Sequence, residues 1–510
     1  MNSSPATEPN VSEVDPGCLP AWEVDDLPEP RPFLARNLLA LIGPGIVMAG
    51  ASTGTGEYII GPRTAAQYQG AMMWVVLLSI LAQVVLNTEV MRYTLCTGEP
   101  IMTGYLRCRP GPRFWLLFYL FLDVAGWLPT LASLAAQILI VLVQGLTPQD
   151  TIPSDVVQAL RIGIFLACAV LVLFGGKVYT TLQIVLGGKF LFVLVFMVFS
   201  TVFFCSAETW LRIWGGMLDP TRLPLNAEGK PEIDWALVAS LAGFAGVGGL
   251  GNIMVSNYVR ENGWGMGQKV GAIPSAFGGQ QIELSHIGTI TRNTPENRRR
   301  FDGWCRYLIA DQYLMWALGS LIGVMLPCVL GAEYLNIDRL IDAKDQWRAA
   351  AALAQDFGEA QGEVFRTLTL LCGLVIMIPG QFGVLESVAR RWTDAFWSGS
   401  RRMRQLDTRR VKHVYYSFAF AYVVFGVCFY LFFPNLSGTT MMTIAGNLAN
   451  FAIAVTIFHT LYVNRRFLPP LMRPSRGKQV ALVLAGLFFT SMFGLVFEQR
   501  IWPILSGGGR

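Results

Sequence analysis

The sequence predicts an all-α polytopic membrane protein with eleven membrane-spanning helices, and three observations support this prediction. Of the 510 residues, 53% are hydrophobic and only 14% are charged, whereas soluble globular proteins carry about 25% charged residues. Apolar runs of about 20 residues recur along the chain, and each is long enough to cross the hydrocarbon core of a bilayer. Most Lys and Arg residues lie between these runs, so the net charge of +5 does not indicate a nucleic-acid partner.

The predicted spans are numbered 1 to 11 in chain order. They cover 34–69, 71–94, 114–143, 156–175, 180–205, 236–258, 303–331, 364–387, 414–433, 438–462 and 478–497. Pro129 predicts a kink in span 3, because proline removes a helical hydrogen bond. Spans 1 and 6 are each broken near the middle by small residues.

The distribution of Lys and Arg predicts the orientation of the chain, because cytoplasmic connections are rich in these residues. With the N-terminus inside, 27 of them lie in cytoplasmic connections or near the span ends next to them, and 11 lie on the opposite side. We therefore expect a protein of the cell (inner) membrane with a cytoplasmic N-terminus and an external C-terminus. Residues 1–32 are acidic and predict a disordered cytoplasmic tail. Residues 33–500 then form the transmembrane domain, and 501–510 form a short external tail.

The first break lies in span 1. Gly54, Thr55 and Gly56 are poor helix formers, and the carboxylate of Glu57 follows directly. Backbone groups freed by such a break must be buried in protein or face a wet cavity. An ionisable residue inside the membrane indicates a functional site. Glu57 is therefore a candidate ligand for a cation or an ammonium group, and its alternative role is to cap the second half-helix.

The second break lies in span 6, where we expect the other half of a substrate site at Gly246, Val247, Gly248, Leu250 and Asn252. Glycines let backbones approach closely, and Asn252 offers an amide. Close helix packing by small residues is the alternative explanation. Spans 1 and 6 are five spans apart and so cross in opposite directions. Two broken helices in corresponding positions of inverted halves indicate the central site of a secondary transporter.

Five further polar residues within the spans are candidates for coupling or charge relay. Lys189 in span 5 is the only Lys or Arg well inside a predicted span. It provides a fixed positive charge in the bundle, or it snorkels to the interface. Asp123 and Asp311 are charge-relay candidates or structural partners. Asn447 and Asn450 share one helical face, and they line a path or bond between helices.

An enzymatic function is not predicted. The sequence contains no Ser/His/Asp set, no HExxH motif and no phosphate-binding loop, which are the short motifs that carry such chemistry. No cofactor is predicted either. The expected partners are a transported substrate and the lipid bilayer, and the sequence does not indicate an oligomeric state.

The stretch GPGIVMAGASTGTGE in span 1 resembles the first span of the Nramp divalent-metal transporters, which read GPG, seven to eight mostly apolar residues, then DPGN. The similarity continues through AAQYQGAMMWVVLLSILAQVV, which is close to the second span of that family, and more thinly over about 33–500. The resemblance implies a LeuT-like fold of ten core helices in a 5+5 inverted repeat, with broken helices 1 and 6. Members of the family often have an eleventh helix.

The residues at the first break depart from the pattern of that family. Counted from the shared GPG, its metal-binding Asp falls on Gly54 and its metal-binding Asn falls on Glu57. The intervening Pro and Gly fall on Thr55 and Gly56. The acidic proton-path residues of span 3 fall near Ala125–Leu128, none of them acidic, although Asp123 is close by.

The second break departs as well. The family's MPH motif falls on Leu250, Gly251 and Asn252, so Leu250 replaces the ligand Met and Asn252 replaces the His. Glu57 and Asn252 remain as metal-ligand candidates. The loss of a thioether with oxygen ligands retained favours a harder cation such as Mg²⁺.

We therefore expect an Nramp-like secondary transporter of a divalent metal cation. A second resemblance keeps an alternative open. Gly54–Gly56 and Lys189 look similar to amino-acid transporters of the same superfamily, in which backbone amides hold a substrate carboxylate and a span-5 Lys replaces a coupling sodium. An amino acid or another small organic solute is thus the alternative substrate. A non-transporting sensor and a membrane enzyme are the remaining alternatives.

Overall fold

The computed structural model describes residues 14–32, 56–145, 153–174, 178–221, 225, 229, 232–271, 284–338 and 349–506. Within these residues, nine helices are long and apolar enough to cross a membrane, and a pair bent by 52° at 252–253 makes a tenth span. The prediction of an all-α polytopic membrane protein is confirmed. Span 1, the remaining predicted span, lies partly outside the described residues.

Most of the chain is helical. The first half contains α1 (Gly56–Tyr68), α2 (Trp74–Thr97), α3 (Ile101–Leu106), α4 (Pro112–Leu122), α5 (Val124–Trp127), α6 (Thr130–Gln144), α7 (Ser154–Phe174), α8 (Val178–Phe204) and α9 (Ala207–Leu218).

The second half contains α10 (Trp235–Phe244), α11 (Met254–Glu261), α12 (Gly267–Val270), α13 (Pro295–Ala310), α14 (Leu318–Tyr334), α15 (Ala349–Gln361), α16 (Glu363–Gly399), α17 (Val411–Phe432), α18 (Gly438–Phe467), α19 (Arg476–Val496) and α20 (Trp502–Leu505). The π-helical segments Asp311–Ala317 and Phe497–Ile501 join α13 to α14 and α19 to α20. Single 3₁₀ turns occur at Gly249–Gly251, Met403–Gln405, Thr408–Arg410 and Pro470–Met472.

Span 3 is interrupted as Pro129 predicts. Leu128 has the extended conformation φ −67°, ψ 125°, which is typical of a residue that precedes proline. Pro129 thus separates α5 from α6. A second division separates α4 from α5 at Asp123, which has φ −85°, ψ 4°. This interruption places the carboxylate of Asp123 inside the helix bundle.

Span 8 is longer than predicted. Helix α16 runs over 37 residues to Gly399, whereas the prediction ended at residue 387. Arg390 and Arg391 therefore lie inside a helix, and both are at most 2% exposed. The prediction assigned them to a loop because charged residues usually leave the membrane, but here buried carboxylates pair with both.

The helices divide into an inner and an outer set. In spans 4, 5, 9 and 11 only 33% of the most apolar window is buried within the protein, whereas the value for span 2 is 72%. The four outer spans expose large apolar side chains such as Phe203 and Phe432, as lipid contact requires. The inner spans surround the break in span 6.

Residues 14–32, which belong to the predicted cytoplasmic tail, form a segment that packs on the rest of the protein. Strand β1 (Glu23–Asp25) pairs in parallel with β2 (Thr289–Thr291). Trp22 and Leu27 are 8% and 0% exposed. These two buried apolar side chains attach the segment to the protein although its overall composition is acidic. The remaining domain boundaries stay predictions.

Candidate functional site

The break in span 6 is confirmed. Helix α10 ends at Phe244, and the chain continues through the 3₁₀ turn before α11 begins at Met254. Gly248 and Gly249 have φ values of +78° and +53°, in the left-handed region that favours glycine. The break therefore depends on glycine for its backbone conformation as well as for close packing.

Span 2 packs directly against this break. The Ser79 hydroxyl donates to the carbonyl of Ala242 at 2.6 Å, and the Gln83 amide donates to Ser79 Oγ at 2.9 Å and to the carbonyl of Ala245 at 3.4 Å. A Cβ on Gly246 would lie 2.3 Å from Gln83 Oε1. These bonds satisfy carbonyls that α10 leaves free at its end.

Span 10 holds the other side of α10. The Asn447 amide donates to the carbonyl of Ala236 at 3.0 Å, and the Asn450 amide donates to the carbonyl of Ala239 at 2.8 Å. Of the two roles expected for this pair, the geometry is that of bonds between helices. Neither side chain lines the cavity described below.

A cavity of about 130 Å³ lies beside the break, between spans 3, 6, 8 and 10. Val247, Gly248 and Leu250 line it, as expected for a substrate site, but Gly246 and Asn252 do not. Most of the wall is apolar. The polar side chains at the wall are Asp123, Thr130, Tyr258, Ser387 and Arg391.

Asp123 and Arg391 form a buried ion pair in this wall. Arg391 Nη2 lies 2.8 and 2.7 Å from the two carboxylate oxygens of Asp123, and Trp392 Nε1 donates to the same carboxylate at 2.8 Å. Arg391 Nη1 also lies 3.4 Å from the carbonyl of Leu250. Asp123 therefore has the structural partner expected for it, and that partner also contacts the break in span 6.

A larger group of buried charges lies next to the cavity, between α11 and α16. Arg260 binds Asp394 at 2.6 Å and Glu261 at 2.7 Å. Arg390 binds Glu261 at 3.0 Å and Glu386 at 2.5 Å. This network joins α11, the second half of the broken span 6, to span 8.

Asn252 is fully buried, and neither atom of its amide group has a hydrogen-bond partner among the described residues. A buried amide without partners is costly, and such groups in native structures call for an explanation. Of the predicted metal ligands Glu57 and Asn252, only the side chain of Asn252 lies within the described part of the structure.

The start of α1 lies against the break in span 6. A Cβ on Gly56 would lie 2.2 Å from Cβ of Phe244, the last residue of α10. Gly54 and Thr55 lie outside the described residues. Glu57 belongs to α1, but its side chain lies outside the described part of the structure. Gly56 therefore brings the second half of span 1 to the break in span 6.

Lys189 and Asp311 are both buried away from the cavity wall. Lys189 is 3% exposed. Asp311 begins the π-helical segment of span 7 and accepts from Gln312 at 2.9 Å. Gln312 in turn accepts from Asn87 of span 2 at 3.0 Å. Whether either group serves in coupling stays a prediction.

Sequence reasoning missed Arg391, Tyr258 and Gln83 as parts of the site. Arg391 follows Ser387 by four residues and so continues the same helical face. Gln83 follows Ser79 at the same interval. For Gln83, polar residues at this spacing in an apolar span were the available signal, whereas Arg391 lies beyond the predicted end of span 8.

A discontinuous central helix beside a buried cavity, within a bundle of apolar helices, defines the class of protein. It is an integral membrane protein with the architecture typical of secondary transporters.

Solved structures of the Eremococcus coleocola manganese transporter are similar to this chain. For the complex with an aromatic bis-isothiourea substituted compound, the TM-score is 0.60 at 12% identity, over 98% of this chain and 92% of that chain. Two point variants of that transporter give TM-scores of 0.62 and 0.61 at the same identity and coverage. No protein-family model and no curated protein matches the chain. The similarity shows an Nramp-like fold, as the sequence resemblance implied.

Proposed function

We propose that this chain is a secondary transporter that moves a divalent metal cation across the membrane by alternating access. The observation that carries the proposal is a fold shared with a manganese transporter over 98% of the chain. The contact of Gly56 with Phe244 supports it, because it brings together the two helices whose breaks would form the substrate site.

The substrate cation binds between the two breaks. Its ligands are the Glu57 carboxylate, the Asn252 amide oxygen and backbone carbonyls around Gly246–Gly248. The buried amide of Asn252 supports this assignment, since it has no hydrogen-bond partner among the residues the structure describes. Leu250 takes the place of the soft thioether ligand of the resembled family. An oxygen-only ligand set favours Mg²⁺.

Alternating access proceeds by motion of spans 1, 2, 6 and 7 against the other spans. The N-terminus is cytoplasmic and the C-terminus external, in the inner membrane, as the 27 to 11 distribution of basic residues suggests. The chain is a carrier and not an enzyme.

Transport of a small zwitterionic or organic solute is the second candidate, and the cavity favours it. The cavity wall is mainly apolar with a few polar groups, which is typical of sites for organic ligands. Within the described residues, no group of three or more His, Cys, Asp or Glu side chains could hold a metal ion. Lys189 belongs to this candidate as the fixed positive charge of span 5.

One titration separates the two candidates. Purified protein is titrated calorimetrically with Mg²⁺, Mn²⁺ and Ca²⁺, and in parallel its melting temperature is measured with a panel of amino acids. We expect Mg²⁺ to bind and Glu57→Gln to weaken binding at least tenfold, which corresponds to about 1.4 kcal/mol. Stabilisation by an amino acid alone, by mass action, would select the organic solute.

Glu363→Gln is the matched control. Glu363 is a carboxylate at the start of α16 whose side chain is 77% exposed, so this variant should bind metal as the parent does. The metal proposal is overturned if none of the three cations binds, or if Glu57→Gln and Glu363→Gln bind equally well.

A further inference from the structure

Residues 14–32, here named the N-terminal strap, cross the face of the protein that carries the basic connections. The strap bonds in turn to span 10, to the connection between spans 2 and 3, to the connection between spans 6 and 7, and to span 7. Each contact is made by named groups, and together they bridge parts of the fold that are far apart in sequence.

Arg107 holds the first part of the strap. Its Nη1 donates to the carbonyls of Pro16 at 2.9 Å and Pro20 at 2.8 Å, and its guanidinium carbon lies 3.8 Å from the centre of the Trp22 ring. The backbone N–H of Cys18 donates to the carbonyl of Arg107 at 2.9 Å. One buried arginine thus organises a seven-residue turn of the strap.

Glu99 orients that arginine. Its two carboxylate oxygens accept from Arg107 Nη2 at 2.5 Å and from Nε at 2.9 Å. They also accept from the Tyr93 hydroxyl at 2.7 Å and from the backbone N–H of Gly288 at 3.0 Å. Arg107 and Glu99 are 1% and 3% exposed. Glu99 therefore holds the Arg107 guanidinium in the orientation that the docked strap contacts.

The middle of the strap is bound to the connection between spans 6 and 7. Beyond the pairing of β1 with β2, Asp25 binds Lys269 at 2.9 Å and Asp26 binds Arg292 at 2.9 Å. The Asn297 side chain accepts from the N–H of Leu27 at 3.1 Å. The acidity of the strap is thus matched by basic groups of the body.

The end of the strap is bound to span 7. Trp304 Nε1 donates to the carbonyl of Pro28 at 2.8 Å. The Tyr307 hydroxyl lies 2.9 and 2.6 Å from the carbonyls of Arg31 and Pro32. Both donors lie on α13, which leads into the π-helical segment of span 7.

The start of the strap is bound to span 10. Asp15 binds Arg466 at 2.8 Å, and the Trp22 ring packs edge-on against Phe467 at 6.3 Å between centroids. In the proposed transport cycle span 7 moves and span 10 does not. Because the strap is bonded to both span 7 and span 10, it must detach from one of them before the moving and the static helices separate on this face.

We propose that the Glu99–Arg107 pair is a docking site for the chain's own N-terminal segment, and that the docked strap holds this face of the transporter closed. The occupant is residues 14–32 of the same chain, recognised through backbone carbonyls, the Trp22 ring and acid–base pairs. This inference rests on the proposed alternating access but not on the identity of the substrate.

Cysteine accessibility tests the strap without any substrate. The reporter is a cysteine introduced at the cavity wall by Ser387→Cys. The exposed cysteines Cys18 and Cys428 are first replaced by serine so that they do not react. Inside-out vesicles are treated with a membrane-impermeant maleimide. We expect Trp22→Ala to accelerate labelling of the reporter about tenfold, the change that about 1.4 kcal/mol produces. A variant in which glycine and serine replace residues 14–30 should be labelled at least as fast as Trp22→Ala.

Glu29→Gln is the matched control within the strap. Glu29 is 66% exposed and lies 3.4 Å from Arg299, and exposed ion pairs of this kind contribute little, so labelling should match the parent rate. The proposal is overturned if Trp22→Ala and the Gly/Ser variant are both labelled at the same rate as the parent, provided that each is monodisperse on gel filtration. If no metal binds in the titration but the strap variants are labelled faster than the parent, only the substrate assignment is contradicted.

Discussion

Arg391 connects three parts of the cavity wall. It pairs with Asp123 of span 3, contacts the carbonyl of Leu250 in the broken span 6, and lies one turn from Ser387 in span 8. A buried charge is stable only when it is paired and hydrogen-bonded. The Asp123–Arg391 pair therefore fixes the relative positions of these spans around the cavity.

The pair should behave as a unit when it is mutated. Asp123→Asn and Arg391→Met each leave one buried charge without its partner, and breaking a buried pair costs about 3–5 kcal/mol. We expect both single variants to lower the melting temperature in detergent. The double variant should lose less than the sum of the two, because no lone charge remains. Additive losses would contradict this account.

Val247, Gly248 and Leu250 line the cavity, because the glycines that break the helix also bring its backbone to the wall. Their role in substrate binding stays a prediction. Arg391 was assigned to a loop, since its burial depends on Asp123, which is 268 residues away in sequence. No local pattern reveals such a partner.

At the scale of elements, the broken span 6 is held by its two neighbours. Span 2 bonds to the end of α10 through Ser79 and Gln83, and span 10 bonds along α10 through Asn447 and Asn450. Gly243 and Gly246 permit these close approaches. The break is therefore a packed structure with defined partners for its free carbonyls.

Alanine at these two glycines should have distinguishable effects. In Gly246→Ala the new Cβ lies 2.3 Å from Gln83 Oε1, whereas in Gly243→Ala it lies 2.2 Å from the backbone oxygen of Gly446. Overpacking costs about 1–3 kcal/mol, so both variants should lower the melting temperature. Adding Gln83→Ala should restore part of the loss in Gly246→Ala only.

Gly163→Ala provides the control for this pair. Gly163 lies in α7, and a Cβ there meets nothing within 4 Å, so its melting temperature should equal or exceed that of the parent. Equal losses in the three alanine variants would contradict this account, because contact with spans 2 and 10 would then not decide the outcome.

At the scale of the whole molecule, the Glu99–Arg107 pair ties the strap to two connections. Burial by itself would raise the pKa of Glu99. The Arg107 guanidinium and the hydrogen bonds from Tyr93 and Gly288 have the opposite effect and outweigh burial, so the pKa is lowered below its ordinary value of 4.5. A carboxyl whose pKa is lowered by folding stabilises the fold above its unfolded pKa. That stabilisation is lost as the pH falls through the folded pKa.

Strap docking should therefore weaken in acid. We expect the hydrogen-exchange protection of the Cys18 amide, which is bonded to Arg107, to be constant from pH 7 to about 5 and to fall below pH 4.5. Asp15, Asp25 and Asp26, whose pKa values their hydrogen bonds also lower, should add to the fall at still lower pH.

Glu99→Gln separates the contribution of Glu99 from that of the three aspartates. This variant should have low protection of the Cys18 amide already at pH 7, and its protection should lack the fall below pH 4.5 that Glu99 contributes in the parent. Protection equal to that of the parent across the pH range would exclude Glu99 as the group that orients Arg107.

The sequence by itself determined the membrane-spanning architecture, the kink at Pro129 and the break in span 6. These features follow from runs of apolar, glycine and proline residues, whose effects act over a few neighbouring positions. Only the tertiary structure decided which charges are buried in pairs, that Asn447 and Asn450 bond to α10, and that residues 14–32 dock on the body. Each of these outcomes depends on a partner remote in sequence, because burying a charge or ordering a polar segment is favourable only when that partner is present.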